Sequence, residues 1–104
     1  MKDIKNSIID ILKECYDPEL PIDLWNLGLI YDLHIYEQPK ERFGVDITMS
    51  LTTPGCSMGQ YMIGDIKNKI NELKYMDTIN VEITFDPPWS PEMMTEEGKQ
   101  KLGL

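Results

Sequence analysis

Three runs of apolar–polar alternation and two amphipathic helical repeats, in the order helix–strand–strand–helix–strand, predict an α+β fold. The expected form is a two-layer sandwich of order α-β-β-α-β plus a short C-terminal helix. Its three-stranded mixed sheet carries the helices packed on one face. The alternation sets the strands, the 3.6-residue repeat sets the helices, and a helical crossover between the second and third strands makes those two parallel.

Ile4, Ile8, Ile11, Leu12 and Cys15 recur at helical spacing, so residues 3–15 read as an amphipathic helix with Lys5, Asn6, Asp10, Lys13 and Glu14 turned outward. Cys15 then lies on the buried stripe as a small core residue. Asp17-Pro18-Glu19-Leu20-Pro21 stops the helix, because proline cannot continue it. Ile22, Asp23, Leu24, Trp25, Asn26, Leu27 and Gly28 form a loop apolar enough to fold back over the core or the site. Leu29, Tyr31, Leu33 and Ile35 share one face of the first strand. Phe43, Val45, Ile47, Met49 and Leu51 do so in the second, and Ile79, Val81, Ile83 and Phe85 in the third. The opposite faces carry Asp32, His34, Asp46, Thr48, Ser50, Asn80, Glu82 and Thr84, the pattern of a sheet covered on one side only. A hairpin loop from 37 to 42, with Pro39, joins the first two strands.

Ser57 with Gln60 three residues on is a capping box, so the second helix is expected over 57–75 with Met62, Ile63, Ile66, Ile70 and Leu73 facing the sheet. Gly64 inside it is costly and suggests close backbone packing. Asp86-Pro87-Pro88 ends the third strand. Ser90-Pro91 resembles a cap and first helical position for a last helix over 91–102, with Gly103 as its stop.

A chain of 104 residues is one domain, 1–104, able to bury about two-thirds of its unfolded surface without staples. The net charge of −8 argues against nucleic acid and against anionic membrane surfaces. No apolar run reaches the roughly 18 residues of a membrane span, and the N-terminus lacks the apolar core of a signal peptide. A cytoplasmic protein is expected, with Cys15 and Cys56 reduced.

Chemistry concentrates in Thr52-Thr53-Pro54-Gly55-Cys56, between the second strand and its following helix. Pro54-Gly55 forces a sharp turn, and Cys56 stands one residue before the helix cap. A helix N-terminus carries partial positive charge, which eases loss of a thiol proton, and the thiolate is the form that attacks electrophiles or binds metal. The plain alternative is an inert cysteine at a turn. Asp17 reads equally as a turn former before proline. Asp86 leaves the same sheet end as the loop 52–56 if strands two and three are parallel, which makes it a candidate neighbour of Cys56. His34 sits mid-strand without a partner at ligand spacing and reads as a surface residue. Trp89, Met93 and Met94 lie in a proline-rich tail beyond the last strand, where flexible methionine and aromatic side chains suit a partner-binding surface.

Four segments, in this order, resemble the SufT/PaaD-like metal–sulfur cluster assembly factors: Asp17-Pro18-Glu19-Leu20, Leu27-Gly28-Leu29-Ile30-Tyr31-Asp32, Leu51-Thr52-Thr53-Pro54-Gly55-Cys56, and Asp86-Pro87-Pro88-Trp89-Ser90-Pro91-Glu92-Met93-Met94. The resemblance covers nearly the whole chain. It implies an accessory factor in assembly of iron–sulfur clusters or their delivery to client proteins, and not an enzyme. It also implies that Cys56 is the functional cysteine, that Asp17 is the acidic loop residue, and that Thr52, Pro54 and Gly55 shape the loop. Ser57 stands where many relatives have Pro, and Phe85 where many have Trp. A cysteine-rich C-terminal extension is absent, which fits the short SufT type, and no G-x-x-x-x-G-K-[ST] run suggests ATP use.

The implied partners are an iron–sulfur scaffold or carrier and client apo-proteins, with no nucleic acid and no membrane. No stably bound cofactor is expected, since one cysteine cannot supply the four ligands a cluster usually needs. Three arrangements are open: a homodimer sharing two Cys56 residues, a transient iron–sulfur cluster shared with a partner, or a thiolate that meets a partner's sulfur chemistry. Two other functions compete. One is a small cysteine-dependent thiol transferase or redox enzyme, which the absence of C-x-x-C and of a placed histidine base disfavours. The other is a non-catalytic adaptor with an incidental cysteine.

Overall fold

The first apolar stripe closes as α1 (Lys2–Leu12), which lays Ile8 and Leu12 into the core. The computed structural model describes residues 2–16, 22–52 and 59–103. The helix ends three residues before the expected 15. Glu14 N–H donates to Ile11 O at 2.9 Å and Cys15 N–H to Leu12 O at 3.2 Å, the tightened bonds of a helix exit. Cys15 nonetheless stays in the core.

The sheet has the order β1-β2-β3. β1 (Ile30–Gln38) runs antiparallel to β2 (Arg42–Met49), and β2 runs parallel to β3 (Met76–Ile83). α2 (Gly59–Asn71) is the crossover that makes the second pairing parallel. Val45, Ile47 and Met49 of β2 meet Met62, Ile66 and Ile70 of α2 and the α1 stripe in one apolar cluster. The expected α+β sandwich with helices on one sheet face is therefore what forms. The opposite face carries Asp46, Thr48, Asn80 and Glu82, where Asn80 Nδ2 donates to Asp46 Oδ1 at 3.0 Å.

Four local expectations change. In β1 the register shifts between Ile30 and Asp32, so Tyr31 is bulged and Ile30, opposite Met49, joins Leu33 and Ile35 on the helix side. One inserted residue reverses the phase of alternation, which pattern reading alone cannot see. Phe85 does not extend the apolar face of β3: the strand ends at Ile83 and Phe85 is exposed. A Cβ built at Gly64 would meet nothing within 4 Å, so that glycine marks no close backbone approach. The last helix is split into a 3-10 turn at Pro91–Met93 and α3 (Glu96–Leu102). Thr95 is the true cap, accepting from Gly98 N–H at 3.0 Å, and Gly103 at φ 77 closes the helix as expected.

The hairpin turn is a 3-10 turn, Pro39–Glu41, with Lys40 at φ 65 and Glu41 at φ 59. The described part of the second helix begins at Gly59, and the helix ends at Asn71, four residues short of the expected 75, where Glu72 N–H donates to Lys69 O at 3.3 Å and Leu73 N–H to Ile70 O at 2.9 Å. The expected cap Ser57 lies outside the described residues.

Candidate functional site at the C-terminal end of the sheet

Parallel pairing brings the ends of β2 and β3 out side by side. Thr84 N–H donates to Met49 O at 2.8 Å, so Thr52 and Asp86, each two or three residues further on, leave the same end of the sheet. From β2 a run of backbone hydrogen bonds crosses to the first loop. Ser50 N–H donates to Leu29 O at 2.9 Å, Leu29 N–H to Leu24 O at 3.3 Å, and Leu24 N–H to Cys15 O at 2.8 Å. A bridge between Tyr16 and Asp23 closes the chain on either side of segment 17–21. The anchors of all three acidic or cysteine-bearing segments thus share one framework.

Asp17, Thr53, Pro54, Gly55 and Cys56 lie outside the described residues. Thr52 is a half-buried bend residue with an interaction of its own. Asp86 is exposed, and its backbone N–H donates to Thr84 Oγ1 at 3.3 Å. His34 is exposed and stacks on Tyr36 with 5.8 Å between ring centres. Among the described residues no three His, Cys, Asp or Glu side chains form a group that could hold a metal.

The tail after β3 is tied to the loop 22–28. Trp89 Nε1 donates to Leu27 O at 2.6 Å, and Tyr31 Oη donates to Pro87 O at 2.8 Å. Asn26 is the centre of the clasp. Its backbone N–H and its Nδ2 donate to the two oxygens of Asp23, at 3.0 and 2.8 Å, while Nδ2 also lies 3.3 Å from Glu97 Oε2. Thr95 donates to it twice, through N–H to Asn26 O at 3.0 Å and through Oγ1 to Oδ1 at 2.6 Å. Asp23 and Asn26 are buried, so each needs these partners. Of the three expected contact residues, Met94 is a core residue at 5 % exposure, while Trp89 and Met93 are half-buried.

Sequence reading missed Asn26, Asp23 and Thr95. The available signal was the Asp-x-x-Asn spacing of an Asx turn, and a threonine three residues before Gly98. It also missed the large exposed apolar side chains, Tyr16, Tyr61 and Phe85. Tyr16 precedes Asp17, Phe85 precedes Asp86, and Tyr61 is in the first turn of α2.

Cys15 has the opposite character from a reactive thiol. Burial, followed by the neighbouring Asp65 carboxylate, pushes its pKa up to about 12, and Sγ lies 3.4 Å from Ile11 O. A raised thiol pKa contributes stability that is complete below the unfolded value near 9 and is lost as pH climbs toward 12. Native protein retains the proton over that window and unfolded chain does not, so the slope is negative, about 1.4 kcal/mol per pH unit. Urea midpoints measured from pH 8 to 11 should therefore fall more shallowly in Cys15→Ala than in the native chain. Parallel curves would remove this role from Cys15.

The model of the iron–sulfur cluster assembly protein family matches residues 5–83. A protein of Porphyromonas gingivalis called Fe-S protein maturation auxiliary factor is 34% identical over 100 residues, covering 96% of this chain and 91% of that one. The Fe-S protein maturation auxiliary factor YitW of Bacillus subtilis is 33% identical over 101 residues, covering 97% and 95%. Among solved structures, a domain of unknown function from Bacillus anthracis superposes with a TM-score of 0.83 at 32% identity, covering 99% of this chain and 94% of that one.

Proposed function

The chain belongs to the iron–sulfur cluster assembly protein family, and from that premise we propose that it is an accessory factor in the maturation of iron–sulfur proteins. The observation that carries this reading is the end-to-end match to two maturation auxiliary factors, which leaves no large part of either chain unaccounted for. The chain acts in the cytoplasm on an iron–sulfur scaffold or carrier and on apo-clients, and performs no turnover of its own. No helix among the described residues is long and apolar enough to cross a membrane.

Cys56 carries the chemistry. It stands three residues before the described start of α2, and a helix N-terminus favours the thiolate. A single cysteine fills one of about four positions on a cluster, so the cluster is handled as cargo, jointly with the donor or the client. Asp17 and Asp86 give the surroundings of the loop their acidic character, and Thr52, Thr53, Pro54 and Gly55 set its turn. The exposed Tyr16, Tyr61 and Phe85, with Trp89 and Met93, supply the apolar contact area a transient partner needs.

Removing the chain from cells and assaying a panel of enzymes tests the reading. Cluster-dependent enzymes should lose activity while their polypeptides persist and cluster-free enzymes stay at wild-type levels. Full activity across the cluster enzymes would overturn it.

A further inference from the structure

Strand pairing lays out the sheet face turned away from the helices in three rows. Asp32, Thr48 and Glu82 stand side by side in one row, His34, Asp46 and Asn80 in the next, and Tyr36, Gly44 and Thr78 in the third. Successive rows are about 7 Å apart, two residues of a strand. Asp32, His34, Asp46, Asn80 and Glu82 are exposed. An open cavity of about 480 Å³ spans the first two rows, lined by Asp46, Thr48, Asn80 and Glu82 and also by Lys67 of α2.

This face holds the carboxylates of Asp32, Asp46 and Glu82, and none of them forms an ion pair among the described residues. Asp46 Oδ1 accepts from Asn80 Nδ2 at 3.0 Å, while Asp46 Oδ2 has no partner among the described residues. Arg42, at the far end of β2, is engaged by Asp77 at 3.6 Å and by the carbonyls of Lys74 and Met76. Lys67 is a single ammonium against the carboxylates, so the face stays negative. The acids are spread over strand positions, and among the described residues no group of three His, Cys, Asp or Glu could hold a metal ion. Beside them lies an aromatic surface. The Tyr36 ring leans across β2 onto Gly44, where a Cβ would stand 2.4 Å from its Cζ. His34 stacks against the same ring with 24° between the planes.

We propose that the open face of the sheet docks an extended, arginine-bearing segment of a partner protein, with one guanidinium on Tyr36 and Asp46 and a second between Asp32 and Glu82. A planar guanidinium stacks on an aromatic ring and meets a carboxylate through two parallel N–H groups, a pairing that the point charge of an ammonium cannot make. In an extended segment, residues two apart lie on one side at about the spacing of the rows. Two arginines separated by one residue therefore meet the rows in turn. The carboxylates repel phosphate, so the occupant is protein and not nucleic acid. The inference goes beyond the maturation role and needs no assumption about Cys56. A merely solvated face predicts something different: removing a charge here would then matter no more than removing one elsewhere.

The probe is a capped pentapeptide in which two arginines alternate with three threonines, and binding is read from the amide resonances of the native chain. The peptide should move the resonances of His34, Tyr36, Asp46 and Thr48 and leave those of α3 in place. Replacing both arginines by lysine should weaken binding about threefold, and replacing them by glutamate should abolish it. Asp46→Asn should weaken the arginine peptide about fivefold and Tyr36→Leu about threefold, with Tyr36→Phe unchanged. Glu72→Gln removes an exposed charge just beyond α2 and should leave binding within about twofold. If Tyr36→Leu does not fold, the comparison of arginine and lysine peptides on the native chain takes its place. Still resonances on the open face overturn the inference, and so does equal weakening by Asp46→Asn and Glu72→Gln. Movement of the same resonances on concentrating the chain alone makes a second copy the occupant and overturns it as well.

Discussion

Cys56→Ser should reduce support of cluster-enzyme maturation to the level of a strain lacking the chain, with the variant still folded. Serine keeps nearly the size and shape of the side chain. Its hydroxyl does not ionise near neutral pH, so it offers neither a nucleophile nor a soft ligand for iron. A thermal midpoint within a few degrees of the native value would show that the loss is chemical. Restoration of the cluster enzymes by the serine variant would instead make the chain an adaptor whose cysteine is incidental.

Gly28→Ala should cost about 3 kcal/mol of stability, a large share of the roughly 5–15 kcal/mol that holds a domain of this size. Two effects add. Gly28 has φ 76, a left-handed conformation that costs a residue with a Cβ about 1–2 kcal/mol. A Cβ there would also stand 2.2 Å from Met93 O, a backbone atom that cannot turn aside. The tail must therefore lift from the loop 22–28, straining the Trp89–Leu27 and Thr95–Asn26 bonds that clasp them. Gly64→Ala is the control: inside α2 with open space around it, alanine should add about 1 kcal/mol. Urea denaturation of the two variants against the native chain reads both. Equal stability of Gly28→Ala and the native chain would mean that the clasp does not hold the loop.

The architecture was legible because β2 states its buried face in every second residue and α1 and α2 state theirs in every third or fourth. Val45, Ile47 and Met49 read correctly for that reason, and so did Met62, Ile66 and Ile70. The crossover rule then supplied the parallel pairing of β2 and β3 and placed Asp86 at the end where Thr52 departs. What escaped depends on contacts distant in sequence. The bulge at Tyr31 belongs to a hydroxyl that reaches Pro87, 56 residues away. The split of the last helix follows from Thr95 turning toward Asn26, which no local pattern announces. Met94 looked like a surface methionine because the tail is proline-rich, yet the clasp turns it into the core. Ser50 looked like an ordinary polar residue on the open face, and only the finished packing leaves its hydroxyl buried with no partner among the described residues.

The central claim is that one of the two cysteines is kept as a working thiolate and the other is sealed as a core residue. Cys15, with its pKa near 12, holds on the order of one part in 10⁵ thiolate at pH 7. The rate of iodoacetamide labelling of each cysteine in the folded chain at pH 7 is the direct measurement. Labelling of Cys56 at least a hundredfold faster than Cys15 is the predicted result; equal rates, or faster labelling of Cys15, would contradict it.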